Sequence, residues 1–419
     1  MKWLGKQPLV MLFLVMILSI AAGCSSSAPS SANSAQPPAS GTAGTGNSGN
    51  TSTTQPGETG SKGTGSDASS VNPKPSTPDK PVSESGAMTN LTAVRLIDPS
   101  AGWVGGNGWI ARTDDGGKQW KMQYSGKDGI GQIFALNGQE AWASAVKADD
   151  ASKRELLQTS DGGAHWSVVG PLPNAGFIHF MSKQEGFSAN AYTTDGGKSW
   201  TTFGLPEHAI GDAYFHDKSN GWIVTAEDKK IYVKRTTDGG KSWNTVLTRD
   251  TEAFLNGTVI RSAGAQDAWV ELIGDSGMSQ TSYSLFHTAD GGKNWQPVLA
   301  NSTAGAGPAP GFPANYAGNK NEGSKPGDLY VVDPKVAFMG GYCPACDNPN
   351  TVGSTPDGGK TWVNGKQQLP GSSGAMLAMS DAKQGWLITK DATKPSVMYT
   401  TSDGGQNWTA VHTFDQPKS

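Results

Sequence analysis

From about residue 89 onward, apolar and β-branched residues alternate with polar ones in short bursts broken by Gly, Asn and Asp. A period of two is the mark of half-buried strands, and no sustained 3.6-residue period accompanies it, so strands are expected and helices are not. The first stretch displays the unit: 93–97, 103–105, 109–113 and a segment beginning at Trp120 read as four successive strands. Between the third and fourth stands Asp115-Gly116-Gly117. Asp-Gly between β-rich runs is a strong hairpin signal, because glycine takes the positive φ that a tight turn requires.

The unit recurs. Thr-x-Asp-Gly-Gly-x-x-Trp occurs seven times, with its aspartates at Asp115, Asp161, Asp195, Asp238, Asp290, Asp357 and Asp403. Successive spacings of 46, 34, 43, 52, 67 and 46 residues scatter around the length of one four-stranded blade. Each copy is preceded by a polar turn, a small residue and an aromatic: Trp103, Trp142, Phe187, Trp222, Trp269, Phe338 and Trp386. One such unit cannot bury both of its faces, so the units must stack around an axis. The pattern predicts an all-β, seven-bladed β-propeller of four-stranded antiparallel blades over residues 89–419. The chain starts on a first strand and finishes on a last one, so the ring is expected to close by packing, without a shared strand.

The seven aspartates are read as structural. A carboxylate in this position can accept backbone N–H groups across the turn, and seven equivalent carboxylates spread around a ring cannot converge on one substrate. The stretch from Gly102-Trp103-Val104-Gly105-Gly106 through Asp115-Gly116-Gly117-Lys118-Gln119-Trp120 resembles the blade signature of the photosystem II assembly and stability factor family, within the wider Asp-box (BNR) propellers. The resemblance covers all seven repeats. It implies an exported, often lipidated propeller that serves as a binding scaffold or assembly factor, and the motif alone does not carry over a photosystem role. Sialidases share the hairpin but carry a Phe-Arg-Ile-Pro motif, to which Val94-Arg95-Leu96-Ile97 is at most a distant echo. No pair of carboxylates is nominated for glycoside hydrolysis. The expectation is therefore a protein that is not an enzyme and has no catalytic residues, with a glycan-binding or glycoside-hydrolysing propeller as the alternative.

The front of the chain has a different character. Lys2 and Lys6 precede an apolar run over 9–22, too short to span a bilayer and suited to a signal-peptide core. It ends in Ile20-Ala21-Ala22-Gly23-Cys24, which resembles the lipobox of bacterial lipoproteins and makes Cys24 the lipidated residue. Residues 1–23 are thus expected to be a leader. Residues 24–88, rich in Ser, Gly, Thr and Pro, are expected to be a disordered tether that holds the propeller off the extracytoplasmic side of the cell membrane. A formal net charge of −3, spread evenly, argues against nucleic acid as a partner. A protein partner, or else a glycan, and a monomeric state are expected, with no cofactor and no metal.

Two places could hold a site. Loop parity puts all the length variation on one face of the ring, in insertions at 147–155, 275–282, 341–353, 390–395 and 301–327, the last of which reads as floppy. Variable loops on a rigid scaffold commonly carry binding. The second place is the axis. The residue eight before each repeat's aromatic is Arg95, Phe134, His179, Tyr214, Arg261, Tyr330 and Ala378. Arg95, His179, Tyr214, Arg261 and Tyr330 are candidates to line the channel and bind an anionic or peptide ligand. Cys343 and Cys346 are an even pair in an oxidising compartment. No helix or further ligands stand nearby for redox or zinc chemistry, so a local disulfide is expected.

Overall fold

Each repeat folds on its own turn chemistry before it packs. In all seven boxes the Thr hydroxyl donates to the Asp carboxylate and accepts from the second Gly N–H, while the carboxylate also accepts the N–H of the residue before the Trp. In the third box these are Thr193 Oγ1 to Asp195 Oδ1 (2.8 Å), Gly197 N to Thr193 Oγ1 (2.8 Å) and Ser199 N to Asp195 Oδ1 (2.9 Å). The same set recurs at Asp115, Asp161, Asp238, Asp290, Asp357 and Asp403. Both glycines of every box have positive φ, between 73° and 96°, which is why the pair is invariant among the copies.

The computed structural model describes residues 86–417, so the leader, Cys24 and nearly all of the tether lie outside the described residues. What it describes is an all-β propeller of antiparallel sheets in sequential strand order. Five sheets have four strands each, opening on Ile178–Phe180, Ala209–Phe215, Gly257–Arg261, Lys325–Val331 and Ala375–Met379. The remaining sheet has six strands, from Leu91–Leu96 to Ser167–Pro171. The expected seven separate blades are therefore corrected to six sheets.

The cause is local. The 15-residue strand Lys121–Ala135 runs on without a loop, pairing with 109–112 through its first half and with Ala141–Val146 through its second. Only Gly126, Lys127 and Asp128 join the halves, whereas the other repeats are separated by longer loops. The link also passes against Gly108, where φ is +82° and a Cβ would strike the Gly126 carbonyl oxygen. Only glycine allows that approach.

First strands of successive repeats lie side by side around the axis, and fourth strands such as Asn244–Asp250 are largely exposed at the rim. Between successive repeats sit the seven repeat aromatics, Trp103 to Trp386, none more than 1% exposed. The ring closes where Leu91, Val104, Trp386, Met398 and Phe414 form one core cluster, and Met88 N donates to Asp415 Oδ2 at 2.7 Å. The first and last strands share no pairing.

Candidate functional site

The axial candidates share one register position. Arg95 pairs directly with Trp103, His179 with Phe187, Tyr214 with Trp222, Arg261 with Trp269 and Tyr330 with Phe338. Directly paired residues of an antiparallel ladder project from the same face. Each candidate therefore leans toward the neighbouring repeat, and several meet there. Arg95 lies over the Phe134 ring at 4.7 Å and donates from Nη2 to Ala135 O at 3.3 Å. His179 stacks on Tyr214 with centroids 5.0 Å apart and planes within 7°. The Tyr214 hydroxyl reaches Ser262 O at 3.4 Å, next to Arg261. Arg261 covers Phe177 at 4.0 Å and donates Nη1 to Ile260 O at 2.8 Å. The result is a belt at one level, Arg95–Phe134–His179–Tyr214–Arg261. Tyr330 stands apart, packed against the two core clusters that flank the last sheet.

The electrostatics of the belt depart from a simple basic ring. His179 is buried, neither ring nitrogen has a partner, and desolvation, helped by His216, Arg261 and Arg95, lowers its pKa to about 3. It is a neutral flat surface rather than a hydrogen-bonding cation. Neither Arg95 nor Arg261 forms an ion pair within 4 Å among the described residues, although acids gather around Arg261. Asp212 and Asp328 are exposed to solvent, and desolvation by the protein around them raises both pKa values. Glu271 is 1% exposed, its Oε1 has no partner, and desolvation pushes its pKa up to about 8.

The axial alignment passed over these three acids. Asp212 and Asp328 stand two residues before Tyr214 and Tyr330, so extending the alignment by one pleat would have found them. Glu271 had a fainter signal, a carboxyl two residues after Trp269 where the other repeats carry Gly, Ser, Ala, Val or Ile.

On the loop face a groove of about 470 Å³ runs between the 301–327 and 341–353 insertions, lined by Gln280, Glu322, Ser324, Asn348 and Gln368 among others. Cys343 and Cys346, joined by a disulfide, form part of its wall. The reading of 301–327 as floppy is corrected. Phe312 stacks on core residue Phe286 at 4.9 Å, Ser284 Oγ donates to Pro310 O at 2.7 Å, and the Asn301 side chain brackets the Asn321 backbone at both N and O. Among the described residues no His, Cys, Asp and Glu side chains gather in a group of three that could hold a metal ion.

No family model and no curated protein matches the sequence. Among solved structures, YCF48 bound to D1 peptide is 16% identical with a TM-score of 0.43, covering 76% of this chain and 92% of that one. YCF48 from Cyanidioschyzon merolae is 14% identical with a TM-score of 0.43, over 76% and 94%. An acylaminoacyl peptidase is 9% identical with a TM-score of 0.49, over 78% and 52%. Prolyl endopeptidases, an ulvan lyase and the SapL1 lectin match at similar levels. These are likenesses of fold. Because enzymes stand among them, the expectation that this chain is not an enzyme is corrected: the fold is one that enzymes share, and it excludes no activity.

Proposed function

We propose that this chain is an exported propeller, lipid-anchored through Cys24 on the extracytoplasmic side of a membrane, that binds a protein segment in its axial channel. On this reading the six-stranded sheet holds two repeat units and the ring counts seven. The seven identical box turns support that count.

The observation that carries the binding role is the belt. Arg95 and Arg261 are each held on an aromatic face and have no carboxylate within 4 Å. A guanidinium fixed by stacking keeps donors free for an incoming carboxylate at little further entropic cost, and such charge-assisted pairs are about twice as strong as neutral ones. His179 and Tyr214 add flat, desolvated surface beside them. Arg95→Ala with Arg261→Ala should abolish capture of partner protein from solubilised membranes at an unchanged melting temperature. Full capture by the double variant would refute the channel reading.

A second reading follows from the loop-face groove, where the amide side chains of Gln280, Asn348 and Gln368 with Glu322 suit a glycan's hydroxyls. A glycan array probed with the full chain separates the two, since the arginine variant would leave glycan binding intact.

A further inference from the structure

Asp212 and Asp328 each sit at a break in strand register, with two extra residues in the first strand and one in the second. In the inner strand Ala209–Phe215 the register breaks between Ile210 and Tyr214, and in Lys325–Val331 it breaks between Pro326 and Leu329. Both carboxylates therefore sit in β-bulges, where the ladder is interrupted and a side chain can be re-aimed. The strand between these two, Gly257–Arg261, ends on Arg261, whose guanidinium is influenced by both acids without pairing with either. Gly211, next to Asp212, has φ +71° and a Cβ there would collide with Thr258, so the bulge brings the two inner strands together.

Chain direction orders the levels. Inner strands begin at the loop face, so Asp212 and Asp328 lie nearer its mouth, and Tyr214, Tyr330, Arg95 and Arg261 lie deeper. Asp328 also lines a recess of about 220 Å³ with Tyr342, Ser373 and Lys390. Its Oδ2 accepts from Leu377 N at 3.2 Å, and Lys390 makes no ion pair with it within 4 Å among the described residues. At the deeper level His179, 8% exposed with both ring nitrogens unpartnered, stands against Tyr214.

The inner strands thus carry two carboxylates, one of them with an oxygen on Leu377 N, two residues nearer the loop face than the level of the two guanidiniums. Two residues of extended chain rise about 7 Å, so a peptide strand entering from the loop face matches that step with side chains i and i+2. Resting on the channel reading above, we infer that the ligand is a dipolar extended peptide. Its acidic side chain meets Arg95 and Arg261, and a basic side chain two residues away meets Asp212 and Asp328. The acid level selects among anionic peptides and sets which way the strand enters.

The test uses the full chain and three blocked probes in calorimetry: acetyl-Gly-Lys-Ser-Glu-Gly-amide and the versions with Gln in place of the Lys or of the Glu. The wild type should prefer the Lys–Glu probe over the Gln–Glu probe by roughly tenfold, the size of one charge-assisted contact. Asp212→Asn with Asp328→Asn, isosteric changes checked by melting temperature, should erase that preference and leave discrimination against the Lys–Gln probe. Equal wild-type affinity for the Lys–Glu and Gln–Glu probes overturns the dipolar assignment and needs no variant. So does a preference that survives the double Asn change. In both cases loss of binding on Arg95→Ala with Arg261→Ala still upholds the channel. Failure of every probe to bind overturns both.

Discussion

Replacing Glu271 with Gln should make the protein more stable in alkali and leave it unchanged in acid. Glu271 lies in the strand Ala268–Ser276, opposite Leu285 and Val259, on the face that packs Trp269 against Leu329 and Met339. Desolvation there raises its pKa from the ordinary 4.5 to about 8, Asp328 adds to the rise, and Arg261 offsets part of it. A carboxyl whose folded pKa is raised contributes its full share of stability below pH 4.5. That share is lost as pH climbs toward 8, because the unfolded chain releases the proton first. The span from 4.5 to about 8 corresponds to roughly 5 kcal/mol once ionisation is complete near pH 9, and to about 3 kcal/mol at pH 7. Gln keeps the shape and cannot ionise, so it removes this term. Urea unfolding of wild type and Glu271→Gln at pH 4.5, 7 and 9 reads the difference directly, at equal denaturant slope. Expected differences are near zero, about 3 and roughly 5 kcal/mol in favour of the variant. Parallel pH profiles for the two proteins would refute the reasoning.

On the acid side, the His179 pKa of about 3 against an ordinary 6.5 means its contribution is present above pH 6.5 and lost as pH falls toward 3. His179→Phe, which keeps the stacking on Tyr214 and Phe187, should therefore gain about 3 kcal/mol over wild type at pH 4 and nothing at pH 8, as read by thermal melts at both values. Trp408, 5% exposed with its indole N–H on Gly405 O, should cost about 3–5 kcal/mol when changed to Ala. Asp403→Ala should lower the melting temperature without touching binding. Gly108→Ala combines a left-handed backbone with a collision at Gly126 and should destabilise by at least about 1 kcal/mol in denaturant titration. Cys24→Ala should shift the protein out of the membrane fraction; unchanged partition with normal processing would count against lipidation.

The repeat was legible in the sequence because its physics is local. Thr-x-Asp-Gly-Gly closes its own turn through contacts no more than four residues apart, and an aromatic following a small residue marks the same buried position seven times over. Alternation likewise placed Arg95, His179, Tyr214 and Arg261 at one register position, since side-chain direction in a strand follows parity. The rest depended on which distant segments meet. The merging of the first two repeats into one sheet came from a three-residue link with no room for a loop. The 301–327 insertion looks unstructured by composition, and it is ordered because Phe312 finds Phe286. The repeat alignment reaches Asp212, Asp328 and Glu271 as positions, but their burial and charge environment are not written in the residues beside them. For Asp212 and Asp328 the field of Arg261 comes from a strand tens of residues away, and the desolvation of all three acids is set by packing between repeats that the closed ring brings together.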